Sequence, residues 1–223
     1  MLRQPSFPIT MKPKKRSDAR LRAMRWIEYC LCLVGCGAIG YCLFAIGSAL
    51  IFQAHAARMF DEVRAAASLV GAKPHAARIA TASNPPLRAG HAVLGRLKIA
   101  RIGISAMVLD GTDAATLRIG LGHIPETPEP GLGGNTAVAG HRDTFFRALR
   151  RIQTGDSIAF ETLRGSYIYR VSSIEVVDPS DLAILQSHKK PELTLITCYP
   201  FSYLGHAPKR FIVHAILVHN AIP

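Results

Sequence analysis

Outside one apolar stretch near its start, the 223-residue sequence has a single cysteine, Cys198. The other four, Cys30, Cys32, Cys36 and Cys42, fall inside that stretch, where a thiol behaves as a small apolar group. With no second cysteine to pair with, Cys198 in an exported domain is expected to be an intermolecular bridge or a reactive thiol. The sequence also lacks CxxC, HExxH and EF-hand spacings, so no metal site is expected. It has no internal repeat, no low-complexity block and no glycine-rich phosphate loop. Acidic residues are scarce, 15 against 27 Lys and Arg, for a net charge of +12. Such an excess alone would point to nucleic acid or an anionic surface as partner. Its distribution argues against nucleic acid. Residues 1–25 hold eight basic residues and one acid, Asp18, so this tail alone supplies seven of the twelve charges.

Residues 29–52 carry no charge at all. A helix of that length is roughly 36 Å long, enough to cross a hydrocarbon core of about 30 Å with some tilt. Trp26 and Tyr29 stand where an interfacial aromatic belt would. A cleavable signal peptide has a shorter apolar region, about 7–15 residues, although "AHA" at residues 54–56 is a possible cleavage pattern. The basic tail on one flank places the N-terminus in the cytoplasm and the rest of the chain outside, by the positive-inside rule. The expected organisation is a basic cytoplasmic tail over 1–25 and a transmembrane anchor over 26–53. A helical extension and a Pro/Ala/Ser-rich linker follow over 54–91, and then one folded domain over 92–223.

The folded part reads as β-rich. "VLGRLKIARIGISAMVLDG", "GNTAVAGH", "DSIAFET", "SYIYRVSSIEVVD", "ELTLITC" and "RFIVHAILVH" mostly alternate apolar with polar residues between Gly, Pro and Asp. Strands of this kind in one domain predict a mainly β fold, closed barrel or sandwich. "DAATLRIG", after a Thr112–Asp113 cap signal, and "DTFFRAL" are the two short helical candidates.

Alternation in "ELTLITC" puts Thr194, Ile196 and Cys198 on one strand face and Leu193, Leu195 and Thr197 on the other. Cys198 thus ends a strand, where a barrel offers side chains to a cleft; the plain alternative is a packed thiol. A free thiol is only a few per cent thiolate at neutral pH, so a nucleophilic one needs a base and positive charge nearby. His141 is the best-placed histidine, at the point where the apolar run "TAVAG" stops. His206 lies in the loop after the cysteine, and His214 and His219 lie within the last strand as structural or surface residues. Arg210 opens the strand after the cysteine loop, so adjacent strands would carry Cys198 and Arg210 to the same end of the sheet. A guanidinium there could favour the thiolate and bind an oxyanion.

Together, "TAVAGHRDTFFRAL", "GDSIAF", "TLITCYPFSYLGHAPKRFIVHA" and the basic tail with its apolar segment resemble the sortases, membrane-anchored cysteine transpeptidases of the hydrolase class. The likeness covers about residues 92–218 and is strongest to class D, then class E. It implies an eight-stranded β-barrel with short helices behind a transmembrane helix. It also implies a catalytic set of His141, Cys198 and Arg210, a substrate contact by Thr197, and loop support from Arg142 and Asp143. Cys198 would cleave an LPxTG-like sorting motif after threonine through a thioacyl-enzyme and pass the acyl group to an amine. That amine would belong to a peptidoglycan precursor or a pilin lysine. No cofactor and no nucleic acid are implied. In "GHIPETPEPG" the family-like run is more acidic, through Glu126 and Glu129, and His123 is expected to order the loop, with a part in the chemistry as its second reading. An L,D-transpeptidase would show a Ser-x-Gly-Cys run, which is absent. The non-enzymatic alternative is an anchored β-domain that binds wall polymers.

Overall fold

The computed structural model describes residues 16–69, 92–181, 183–186, 190–203 and 205–221. The linker expected over 73–90 lies outside them. The chain forms two compact units, residues 1–47 and 48–223. Helix α1, Arg16–Leu69, runs through the apolar segment. In the first unit its apolar side chains face outward on all sides, with Leu33, Val34 and Phe44 more than 70% exposed. From residue 29 onward this part of the helix is uncharged, and an outward-facing apolar surface of that kind suits a bilayer. Among the described residues it is the one helix long and apolar enough to cross a membrane.

The second unit is a closed barrel of eight strands in the order β1-β2-β3-β4-β7-β8-β6-β5. The strands are β1 (Val93–Ile99), β2 (Ile104–Asp110), β3 (Leu121–His123), β4 (Asn135–Ala139), β5 (Ser157–Glu161), β6 (Ser166–Val177), β7 (Glu192–Tyr199) and β8 (Lys209–Ala221). The pairs β2/β3 and β4/β7 are parallel and all others antiparallel. A parallel pair needs a crossover. For β2/β3 it is helix α2, Ala114–Ile119, whose first turn is capped by the Asp113 carboxylate accepting from the N–H groups of Ala115 and Thr116.

Three local features depart from the sequence expectation. The run over 93–111 is two strands, broken by a 3-10 turn and by Gly103 at φ 73°, a left-handed conformation that glycine adopts without strain. The three-residue β3 is too short to show a period. The helix expected in "DTFFRAL" is a chain of turns leading into a 3-10 helix, Arg147–Arg151. That geometry stacks residues three apart. Phe146, Leu149 and Ile152, at that spacing, are all buried in the main core.

The barrel is filled by a cluster that includes Leu97, Val108, Leu121, Val138, Phe160 and Leu195. Within the second unit, α1 packs on the outside of the barrel. Ala56 and Phe60, one helical turn apart, join Val93, Met107 and Leu109 in a second apolar cluster. Polar contacts fix this seam. The Gln53 side chain donates to Ile119 O and accepts from Met107 N–H. Arg96, only 9% exposed, donates to Ala57 O, pairs with Asp61 and Glu161, and lies over the Phe60 ring. A buried guanidinium without such partners would carry a large desolvation cost.

Strand directions sort the barrel ends. Since β4 and β7 are parallel and β8 runs against β7, the ends of β4 and β7 share a rim with the start of β8. The β1–β2 turn lies at that same rim, because β2 is parallel to β3 and β3 runs against β4.

Candidate active site

Register brings the predicted residues to one rim. Ala139 pairs with Ile196 across β4/β7, and the Gly140 N–H donates to Ile196 O at 3.1 Å. One step further along the two chains stand Gly140 and Thr197, and the next step is His141 and Cys198. On the other flank Cys198 pairs directly with Arg210 across β7/β8. The central strand thus carries the thiol, with the histidine's strand on one side and the arginine's on the other. His141 is exposed, while Cys198 and Arg210 are partly buried.

Strand alternation explains the thiol's accessibility. Leu193, Leu195 and Thr197 point into the barrel and are buried, so Cys198 faces outward. Aromatic residues cluster at this rim: Phe201 and Phe211 pack on the main core with their ring centres 5.1 Å apart, and Tyr199 stacks on Phe211 at 6.2 Å.

The spacing between the strand of Cys198 and the segment of His141 is set by two residues with no room to move. The Thr197 hydroxyl, 2% exposed, donates to Gly140 O at 2.7 Å. That bond ties the strand of Cys198 to protein backbone. Gly140 is packed so closely that a Cβ would stand 2.6 Å from Leu121 and 2.7 Å from Phe146.

The loops are tied as well. Arg142 donates from Nη1 to Pro200 O at 3.1 Å and from Nη2 to Tyr203 O at 2.7 Å and Gly205 O at 3.0 Å. Its guanidinium lies 6.0 Å from the centre of the Tyr203 ring. The residue after His141 therefore clamps the loop after Cys198, a concrete form of the loop support expected of it. Asp143 is exposed. Arg210 uses Nη1 on Ala207 O and Lys209 O, at 3.3 and 3.1 Å. Its Nε and Nη2 donors have no hydrogen-bond partner among the described residues.

His206 is exposed. His123 is 3% exposed and orders the β3–β4 loop, with Nε2 3.2 Å from Thr127 Oγ1 and 3.3 Å from Pro128 O. Its Nδ1 is 3.5 Å from the Asp110 carboxylate. Glu129 pairs with Arg164 in solvent, and Glu126 is exposed. One network has no counterpart in the sequence reading. Asn135 donates to Ile184 O and Gln186 O of the β6–β7 loop, and accepts from Thr194 Oγ1. Thr194 meets His214 Nδ1, whose Nε2 reaches Glu175 at 2.8 Å. Asn135 and Thr194 are buried polar residues in "GNT" and "LTL", the only signal that marks them in the chain.

An eight-stranded barrel with thiol, imidazole and guanidinium on one rim defines a class of proteins. The sortase domain family model matches residues 97–218, and the chain belongs to the sortase family. Sortase D of Bacillus subtilis (strain 168) is 39% identical over 121 residues, 54% of this chain and 61% of that protein. Sortase A of Bacillus anthracis is 29% identical over 130 residues, 56% of this chain and 60% of that protein. The chain thus spans about three fifths of the length of these curated relatives. Among solved structures, a Clostridium perfringens sortase D5 transpeptidase superposes with a TM-score of 0.60 over 73% of this chain and 95% of that one. At 24% identity it shows the shared fold. Sortase C-1 of Actinomyces oris gives a TM-score of 0.53 at 30% identity, over 57% of this chain and 74% of that one.

Proposed function

We propose that the chain is a membrane-anchored cysteine transpeptidase that cleaves an LPxTG-like sorting motif after threonine and transfers the acyl group to an amine. The observation that carries this reading is the register of three adjacent strand ends, which sets Cys198 between His141 and Arg210. In the first half-reaction the Cys198 sulfur bonds to the threonine carbonyl carbon, its proton passing to His141, and the carbonyl oxygen becomes an oxyanion. Collapse breaks the C–N bond, and His141 returns the proton to the leaving amine. In the second, an amine attacks the thioester, His141 takes its proton, and sulfur leaves. Arg210 holds the oxyanion or the substrate backbone with its uncommitted donors. Loss of one such donor costs about 2.7–4 kcal/mol of transition-state stabilisation, so Arg210→Gln is expected to lower kcat by roughly 10²–10³. Thr197, which fixes Gly140, is proposed also to contact the substrate.

The acceptor is proposed to be a peptidoglycan-precursor amine or a pilin lysine. The basic tail is proposed to be cytoplasmic and the barrel extracytoplasmic. The test is a threonine-containing sorting peptide followed by mass spectrometry, beside labelling with a methanethiosulfonate reagent. Wild-type protein is expected to cleave the peptide and to be blocked by the reagent, whereas Cys198→Ala keeps the fold and loses both. A folded wild-type chain inert to peptide and reagent alike would overturn the reading and leave a wall-polymer-binding β-domain.

A further inference from the structure

On the rim shared with Cys198, between the β1–β2 turn and the segment after His141, lies an open cleft of about 320 Å³. One wall is residues 103–106, the end of the turn and the start of β2; the other holds Thr144, Phe145, Arg147, Arg150 and Arg151. No Asp or Glu lines it. Asp156, close by in the chain, is already occupied, its carboxylate accepting from Arg101 and from Gln153 N–H. Arg151 donates to Ile102 O, which fixes it against the turn. The guanidinium groups of Arg147 and Arg150 are exposed and have neither an ion pair nor a hydrogen bond among the described residues. Uncompensated like charges around a concave surface raise the local concentration of anions, and the guanidinium fork matches a carboxylate in particular.

The cleft's place in the fold suggests which anion. His141 and the Arg147–Arg151 helix belong to one short segment, fastened by the Phe146 N–H donating to His141 O and by the burial of Phe146 and Leu149. The basic wall is therefore on the histidine side of Cys198. In the proposed mechanism His141 is the base toward the incoming amine, so the acceptor approaches from that side. The volume is at the low end of small-molecule sites, about 300–1,000 Å³, enough for one amino-acid residue with its carboxylate.

We infer that this cleft holds a carboxylate of the amine acceptor, so that Arg147 and Arg150 select acidic peptide amines over neutral ones. The inference rests on the transpeptidase reading, and its test separates the two. The full chain in detergent is given a threonine-containing sorting peptide and one of two acceptors: a tripeptide with a lysine side-chain amine and a free C-terminal carboxylate, or the same tripeptide as its C-terminal amide. The acid is expected to show a KM lower by about tenfold, and the advantage to fall to near one in the doubly substituted Arg147→Gln/Arg150→Gln protein. Equilibrium binding of the two tripeptides to Cys198→Ala protein, with and without the arginine changes, gives the same comparison without turnover. If the acid is preferred in binding but no peptide is cleaved, the site stands and the transpeptidase reading falls. Equal KM and equal binding for acid and amide, or a preference that survives both arginine changes, overturns the inference.

Discussion

At the residue scale, the buried hydroxyl of Thr197 joins the two segments that carry Cys198 and His141. Its bond to Gly140 O crosses the gap between the strand of Cys198 and the segment of His141. Thr197→Val keeps the shape and leaves that carbonyl without its donor, at a cost of about 1–3 kcal/mol. Chemical denaturation should read that loss, turnover of a sorting peptide should fall with it, and Thr197→Ser should restore both. Cys198, His141 and Arg210 were legible as individual residues because each stands where an apolar run stops or starts. The bond from Thr197 to Gly140 was not, since alternation says which way a side chain points and not which backbone group waits there. The pairing of Asn135, Thr194, His214 and Glu175 was hidden for a related reason: it joins four strands, and no local pattern in the chain reports it.

At the element scale, two arginines tie loops at the rim. Arg142 holds three carbonyls of the loop after Cys198. Arg142→Gln is expected to expose residues 200–208 to limited proteolysis and to lower kcat. A retained proteolytic pattern would remove the clamp from the account. Arg101 pairs with Asp156, and its guanidinium, hydrogen-bonded to that carboxylate, holds the Asp156 carboxyl below the usual carboxylate range. A carboxyl depressed in the folded state contributes stability above its unfolded pKa and loses it as pH falls through the folded one. Asp156→Asn should therefore lower Tm at neutral pH, and the gap from wild type should close in strong acid; a constant gap would contradict the pairing. The strands were read from period two, and the antiparallel neighbours β7 and β8 followed from their place in the chain. The 3-10 helix Arg147–Arg151 was missed because a period of three over so few residues resembles one face of an α-helix.

At the scale of the whole molecule, the barrel provides rigidity and its rim holds the residues proposed for the chemistry. Closure leaves no free sheet edge, so three strand ends can hold three side chains in fixed register. Residues 52–64 of α1 add a seam on the outside of β1, β2 and β5, which the alanine-rich sequence did not announce because Ala56 and Phe60 are only two small signals in a long helix. The central claim is that Cys198 becomes acylated. Full-length protein mixed briefly with a threonine-containing sorting peptide, quenched in acid and measured by intact mass spectrometry, tests it most directly. The account predicts added mass equal to the peptide up to threonine less water, as a thioester requires, mapped to Cys198 and released by hydroxylamine. Peptide cleavage with Cys198 unmodified at every quench time, and undiminished in Cys198→Ala, would contradict it.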